Sequence, residues 1–144
     1  MTWEKKDRSG GIHDYSNTYT WSGASYGLGT YLMDGTITTT FLAALNAGGG
    51  FAGHTDWRIP NVNELQSIVN YQNSNPSVDT AFNTGCVASC TVTSCSCTQS
   101  NVYWSSSTVT ASPGLAWIVV FSSGYVDFDG KSDSDYVRAV RGGS

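Results

Sequence analysis

The spacing of apolar and polar residues predicts two short helices in the first half of the chain. Residues 40–47 begin with Thr40 as N-cap, continue with good helix formers and end at three glycines, which is the pattern of a short helix. Residues 62–71 form the second predicted helix. Asn61 is its N-cap and Glu64, three residues later, completes a capping box.

The second half of the chain predicts a small antiparallel sheet. Short apolar runs indicate strands at residues 102–106, 116–121 and 136–141. A further strand is predicted at the start of the chain, at residues 1–5. A two-residue turn at Ser123 and Gly124 places Ser122 opposite Tyr125. Side-chain alternation then predicts a core face made of Trp117, Val119, Phe121, Val126 and Phe128. It predicts a second, outward face made of Ile118, Val120, Ser122, Tyr125, Asp127 and Asp129. Two helices followed by such a sheet, with long loops, predict an α+β fold.

Composition restricts the class of protein further. The chain has 144 residues, which predicts a single domain over 1–144, and 12% of them are charged and 12% aromatic. The net charge of -4 argues against nucleic acid or an anionic membrane surface as a partner. No apolar run approaches the roughly 20 residues that span a bilayer, so direct membrane insertion is not expected. The residues that follow Met1 already resemble a folded domain, so we expect any signal or anchor to lie outside this sequence.

Four cysteines crowd into residues 86–97, a Ser- and Thr-rich stretch: Cys86, Cys90, Cys95 and Cys97. Zinc sites commonly use paired C-x-x-C spacing, which is absent, and no histidine lies near. Disulfides that cross-link a surface insertion are therefore the favoured interpretation. They imply an oxidising, extracytoplasmic compartment. Three pairings are possible, and the spacing does not choose among them.

Several motifs, taken as a set, resemble one protein family. They are WEKK near the start, GGIHDYSNTYTW, DWRIPNVNELQSIV, YWSSS, AWIVVFSSGYV and the terminal YVRAVR. This set resembles the family named for the C-terminal domain of the Legionella collagen-like protein, over essentially the whole chain. The resemblance implies a C-type-lectin-like fold and a binding module of bacterial or phage origin, often attached to a cell surface. Its partners would be proteins or glycans. The cysteine-rich insertion is not part of the family pattern.

The resemblance also implies a possible origin for the C-terminal residues. Some family members are variable proteins of diversity-generating retroelements, in which a reverse transcriptase mutates adenines and AAC codons scatter into many residues. Residues reachable from AAC by adenine changes alone form the predicted ligand-binding set: Leu115, Ile118, Val120, Ser122, Ser123, Tyr125, Asp127, Phe128, Asp129, Gly130, Ser132, Asp133, Ser134 and Asp135. Gly124, Val126, Lys131 and YVRAVR would be unvaried scaffold. Ordinary loop composition explains the same residues, and the alternative is a glycan-binding adhesin domain without diversification.

Catalysis and metal binding are not expected. The two histidines, His13 and His54, lie in glycine-containing loop sequence, so no acid–base cluster is evident. Asp127, Asp129, Asp133 and Asp135 offer hard oxygen ligands for calcium. Their order does not match an EF-hand loop, however, and the sugar-binding triplets of C-type lectins are absent. We therefore expect solvated carboxylates, no cofactor and no metal. The oligomeric state stays open.

Overall fold

A computed structural model of the chain describes residues 1–24 and 31–143. The helical segments are a π-helical turn, Ile37–Leu42, that continues into α1, Ala43–Asn46, then α2, Val62–Gln66, and a 3₁₀ turn, Thr80–Phe82. The strands are β1 (Thr2–Trp3), β2 (Thr18–Thr20), β3 (Val102–Thr108), β4 (Leu115–Val120), β5 (Tyr125–Gly130), β6 (Ser134–Tyr136) and β7 (Val140–Arg141). The predicted α+β class is confirmed. No described helix is long and apolar enough to cross a membrane.

Five strands form the main sheet, in the order β2-β6-β3-β4-β5. Four of these strands come from the C-terminal part of the chain, and β5 lies at one edge. The pairings are antiparallel except between β3 and β6, which run parallel. A separate ribbon joins the two ends of the chain, because β1 pairs with β7 and Trp3 lies opposite Val140. The C-terminal block is therefore the centre of the fold.

Both faces of the main sheet are covered by apolar cores. On one face Trp104, Ile118 and Val120 pack with residues from the first helix, among them Phe41 and Leu45. On the other face Tyr103, Val119, Phe121 and Tyr136 pack with α2 residues and their neighbours, Leu65, Ile68 and Val78. Strand β4 is consequently buried on both faces, as a central strand between two layers is. Side-chain alternation predicted a single covered face, and this prediction is wrong.

The predicted helices exist, with different bounds. The first begins at Ile37, three residues before the predicted start, because the threonines before Phe41 join the π-helical turn. The second has the predicted capping box: Asn61 Oδ1 accepts the Glu64 N–H at 2.8 Å, and Glu64 Oε1 accepts the Asn61 N–H at 2.9 Å. It ends at Gln66 instead of residue 71. The chain turns there because Val69 leaves the helix to form a bridge with Val78.

The turn between β4 and β5 is longer than predicted. Val120, and not Ser122, lies opposite Tyr125, so four residues form the turn. Phe121 leaves the hairpin to pack on Tyr103 at a ring distance of 5.1 Å, which explains the longer turn. Gly124 closes it at φ +83°, and the N–H of Gly124 donates to the Val120 carbonyl at 2.7 Å. The shift of two residues preserves the predicted alternation of side chains.

The cysteine-rich insertion is cross-linked, as predicted. The pairs are Cys86–Cys97 and Cys90–Cys95, and the described chain contains no free cysteine. The insertion is not a simple surface excursion, however, because three of the four cysteines are buried. The buried guanidinium of Arg138 anchors its end through Ser96 Oγ at 3.2 Å and Thr98 Oγ1 at 2.9 Å. The insertion is thus tied to the strand region that closes the domain.

Candidate functional site

The fourteen predicted binding residues divide into three groups by burial. Exposed residues are Ser123, Tyr125, Asp127, Phe128, Ser132, Asp133 and Ser134. Half-buried residues are Leu115, Ser122, Asp129 and Gly130. Buried residues are Ile118, Val120 and Asp135. Most of the set therefore shares one accessible region around β5 and the turn that follows it, and three members do not.

Ile118 and Val120 are core residues, contrary to the prediction. Ile118 is 4% exposed and lies opposite Trp104 on β3, within the core on the first-helix side of the sheet. Val120 belongs to the same core. The alternation of side chains between the two faces of β4 was predicted correctly. The face that was expected to be exposed to solvent is, however, covered by the core on the first-helix side. These two side chains cannot contact a ligand without unpacking the sheet.

Phe128 is exposed, although the alternation placed it on the core face. It is 50% exposed and packs edge-to-face on the half-buried Trp117, with ring centroids 6.2 Å apart. The apolar cluster around α2 includes Val119 and Val126 but not this pair of rings. The core face therefore ends before Trp117 and Phe128. The two aromatic rings are presented together at the edge of the sheet.

Tyr71 extends the same region and was not among the predicted residues. Its side chain is 75% exposed, and its hydroxyl donates to the Gly124 carbonyl at 3.0 Å. A Cβ atom at Gly124 would lie 2.6 Å from a Val69 methyl and 3.0 Å from the Tyr71 ring. The glycine thus permits this close approach. No sequence signal pairs Tyr71 with a turn 53 residues away.

The edge strand β5 is protected against pairing with another strand. An edge strand leaves alternate backbone N–H groups without a strand partner. Here the carboxylate of Asp127 accepts the N–H of Phe128 at 2.9 Å, and that of Asp129 accepts the N–H of Gly130 at 2.8 Å. Charged side chains that occupy edge donors oppose strand addition. A ligand at this edge would contact side chains instead of extending the sheet.

Asp135 corrects the expectation that all four aspartates are solvated. It lies on β6 opposite Tyr19 and is only 8% exposed. Burial, together with the nearby carboxylates of Asp129 and Asp133, raises the pKa of Asp135 to about 8. The pKa of Asp133 is also raised, mainly by a hydrogen-bonded contact with Asp129 and to a smaller extent by burial. The turn after β5 therefore carries interacting carboxylates instead of independent ones.

Lys131 stabilises the turn that follows β5. Its side chain is buried, and Nζ donates to Thr108 Oγ1 at 2.9 Å and to the Tyr31 carbonyl at 3.2 Å. The same ammonium lies 3.9 Å from the centre of the Trp21 ring. Burial lowers the pKa of Lys131. The lysine is thus a structural cation that holds the turn against β3.

Comparison with known protein families gives a match over almost the whole chain. The sequence model of the Lcl C-terminal domain matches residues 1–141. The chain belongs to the Lcl C-terminal domain family. No curated protein and no solved structure shows significant similarity to the chain. The family is that of the Legionella collagen-like protein C-terminal domain, and it indicates a ligand-binding or adhesin-like module.

In this Lcl C-terminal domain a buried charge cluster links the two ends of the chain. Glu4 lies 3.1 Å from the Lys6 ammonium and 2.8 Å from His13 Nδ1, and it accepts the Ala139 N–H at 2.9 Å. Burial would raise the pKa of Glu4, but Lys6 and the hydrogen bonds from His13 and Ala139 outweigh it and hold this pKa below its usual value. His13 is half-buried and is hydrogen-bonded to Glu4 through Nδ1. The cluster ties β1 to the residues before β7.

Of the clefts in the described chain that lie outside the region around β5, two have aromatic or amide-rich walls. One, of 560 Å³, lies between the ribbon β1–β7 and the insertion, and its walls include Trp3, Phe51 and Trp57. The other, of 340 Å³, is lined mainly by amide and hydroxyl side chains, including Gln72, Asn73 and Asn83. In the described chain, one set of three His, Cys, Asp or Glu residues has its ligand atoms within 4.8 Å of one another. It consists of Cys90, Cys95 and Cys97, which are all in disulfides.

Proposed function

We propose that this domain is a recognition module that binds a protein or glycan on a cell surface. The binding surface, called here the β5 surface, consists of Tyr71, the exposed residues of β5 and the turn from Ser132 to Ser134. The single observation that carries the proposal is the exposure of two aromatic rings, Tyr125 and Phe128, at 51% and 50%, on opposite faces of one edge strand. Exposed aromatic rings on a rigid support are typical of recognition surfaces.

The support under this surface favours binding without rearrangement. Strand β5 pairs along its whole length with β4, which is buried on both faces. Tyrosine and phenylalanine lose little conformational freedom on binding, so they supply contact area at low entropic cost. Serine and aspartate side chains nearby supply adaptable hydrogen bonds. The arrangement resembles that of antibody loops on a rigid scaffold.

We further propose that the β5 surface is diversified, as in the variable proteins of diversity-generating retroelements. Eleven of the fourteen residues reachable from AAC codons are exposed or half-buried. The interleaved residues assigned to the scaffold include Lys131, which is buried, and Gly124, which has φ +83°. Ile118 and Val120 are removed from the variable set, since a core position tolerates few replacements.

Sequencing the DNA around the gene tests the diversification. The expected result is a reverse-transcriptase gene and a template repeat that differs from the coding repeat only at adenines. Substitutions should fall at the codons for the exposed and half-buried members of the predicted set and spare those for Ile118, Val120 and Lys131. The absence of a template repeat would refute diversification. It would leave the recognition module itself in place.

The alternative is an adhesin domain that binds glycans without diversification. The amide-rich cleft and the exposed aromatic rings favour it, since sugars are bound by hydrogen bonds to amides and by packing on rings. A glycan array probed with the isolated chain tests this alternative. Binding that Tyr125→Ala and Phe128→Ala remove, and that Gln72→Ala retains, would place the glycan on the β5 surface. The reverse order would place it in the cleft.

The proposed module acts outside the bacterial cytoplasm and is not an enzyme. The two disulfides support an oxidising compartment. For catalysis, the support is that all four cysteines are in disulfides, so none of them offers a thiolate nucleophile. We propose no cofactor for ligand recognition.

A further inference from the structure

The cleft of 560 Å³, called here the aromatic cleft, is built from four separate parts of the chain. They are residues within 2–5, residues within 51–57, the cysteine-rich insertion and Arg141 of β7. Pockets that hold small ligands commonly measure roughly 300–1,000 Å³. None of the residues that line the aromatic cleft belongs to the β5 surface. The cleft is therefore a candidate for a second, separate binding site.

The aromatic wall of this cleft is held in place by contacts within the protein. Trp57 is 4% exposed, and its indole N–H donates to the Phe51 carbonyl at 2.9 Å. The Phe51 ring packs on Trp57 with centroids 5.3 Å apart. Trp3 packs edge-to-face on Phe82 at 5.7 Å. Because these rings are already ordered, a flat apolar group that packs on them binds at a low entropic cost.

A disulfide fixes the wall that the insertion supplies. Val92 and Thr93 line the cleft, and both lie inside the short loop that the Cys90–Cys95 bond closes. Within this loop the Cys95 N–H donates to the Thr91 carbonyl at 3.0 Å. The cross-link therefore holds part of the insertion against the aromatic residues on the other side of the cleft.

The cleft also carries positive charge. Lys5 and Arg141 line it, and Asp56 accepts hydrogen bonds from Arg141 Nε at 2.8 Å and Nη2 at 3.4 Å. Two positive groups and one carboxylate leave one positive charge. A single carboxylate on a ligand balances that charge, whereas a phosphate monoester carries about −1.5 to −2 at pH 7. His54, which also lines the cleft, adds a hydrogen-bonding side chain.

We propose that the aromatic cleft binds an apolar carboxylate. A flat hydrocarbon group packs on Trp3, Phe51 and Trp57, and the carboxylate pairs with Lys5 and Arg141. Arginine and lysine both form charge-assisted hydrogen bonds with carboxylates. The mostly apolar wall suits a hydrocarbon group better than a sugar, since sugar hydroxyls require polar partners of the kind found in the amide-rich cleft.

Two sources supply this chemistry: a free aromatic acid, and the C-terminal residue of a peptide with an aromatic side chain. Both present one ring and one carboxylate a few bonds apart. The inference goes beyond the proposed function, because it concerns a different surface. Tyr125→Ala, which tests the β5 surface, should leave binding in the aromatic cleft unchanged.

Titration of the ¹⁵N-labelled, disulfide-bonded chain with N-acetylphenylalanine tests the site by NMR. The indole N–H signals of Trp3 and Trp57 should shift as the ligand is added. Those of Trp21 and Trp104 should stay in place, because both indoles are buried in the sheet core and donate to backbone carbonyls there. For a ligand of this size, the expected dissociation constant is on the order of 10⁻³ M.

Matched ligands separate the contribution of the charge from that of the ring. The amide of N-acetylphenylalanine has the same ring and no carboxylate, so it should bind at least about fivefold more weakly. An acetylated tetrapeptide of three glycines and a C-terminal phenylalanine distinguishes the two sources. Binding at least about threefold tighter than that of N-acetylphenylalanine assigns the site to a peptide terminus, and equal binding assigns it to a free acid.

Matched variants locate the ligand. Lys5→Gln should weaken binding of the acid by about threefold and leave binding of the amide unchanged. Thr93→Trp should fill the cleft and abolish binding of both. Both positions are exposed, so both variants should fold. Arg8→Gln and Val87→Trp are the controls, because they make comparable changes at residues that do not line the cleft, and they should bind like the wild type.

Three outcomes would overturn the proposal. One is a titration in which the Trp3 and Trp57 signals do not move. Another is equal binding of the acid and the amide, which would mean that the cleft recognises the ring alone. The third is binding that Thr93→Trp retains, or that Arg8→Gln weakens as much as Lys5→Gln, since the ligand would then lie outside the cleft.

Discussion

Replacement of Ile118 by alanine tests most directly whether this residue belongs to the core or to the binding surface. Ile118 was predicted from alternation to face a ligand, but it is 4% exposed and packed on the first-helix side of the sheet. The substitution removes three carbon atoms from this core. At about 0.8 kcal/mol for each buried CH₂ group, the lost transfer free energy is roughly 2.4 kcal/mol. The cavity left behind brings the expected loss of unfolding free energy to about 3–4 kcal/mol.

Equilibrium unfolding in urea measures this loss. The midpoint should fall while the slope of the free energy against urea stays the same, because the surface exposed on unfolding hardly changes. Phe128→Ala is the matched comparison on the neighbouring strand. It should cost less than about 1.5 kcal/mol, since half of the ring is already exposed.

The reasoning would be refuted if Ile118→Ala cost less than about 1 kcal/mol, which is the range of surface substitutions. It would also be refuted if Phe128→Ala were the more destabilising change. The first result would mean that β4 is not covered on both faces. The second would mean that the aromatic pair at the edge of the sheet belongs to the core.

Three further predictions concern the turn, the acidic cluster and the insertion. Gly124→Ala should cost about 1–3 kcal/mol in urea unfolding, because alanine is strained at φ +83° and its Cβ would meet Val69 at 2.6 Å; an unchanged midpoint would contradict it. The stability advantage of Asp135→Asn over wild type should grow as pH rises from about 5 to about 8. The reason is that the pKa of Asp135 is raised to about 8 in the folded state, whereas the unfolded chain releases this proton near pH ~4. Retention of the proton stabilises the folded wild type, and this stabilisation is lost as pH rises through the folded pKa. A pH-independent difference would contradict the prediction. Arg138→Met should lower the free energy of unfolding by more than about 3 kcal/mol, because buried acceptors on Glu4 and Thr98 lose their donor. It should also speed proteolysis within residues 86–97. Arg8→Met, at a more accessible position, is the control and should have neither effect.

Local elements were largely predictable from the sequence. The capping box at Asn61 and Glu64 is confirmed because it depends on two residues three positions apart. The strands around 102–108 and 115–120 are confirmed because their apolar runs are short and bounded by polar turns. Helix ends were predicted less well. Val69 leaves the helical path for a bridge to Val78, a contact that no local pattern contains.

The location of the candidate binding surface was predictable from the sequence, but the full set of residues that belong to it was not. Tyr125, Asp127 and the turn after β5 are accessible, as expected from their polar neighbours. The exposure of Phe128 was not predictable from alternation, which placed it on the core face, although the codon argument included it in the binding set. It depends on where the apolar cluster around α2 ends. Tyr71 was missed because its contact with Gly124 joins residues far apart in the chain.

The sequence by itself determined the α+β class, the capped helix and the alternation of side chains along β4 and β5, since these depend on neighbours within a few residues. Only the tertiary structure decided what covers each face of the sheet. Alternation sorts side chains into two sets, but burial depends on which distant segments pack on each set. For that reason Ile118 is a core residue, Phe128 is exposed and Asp135 is buried with one carboxylate oxygen that receives no hydrogen bond from the described chain.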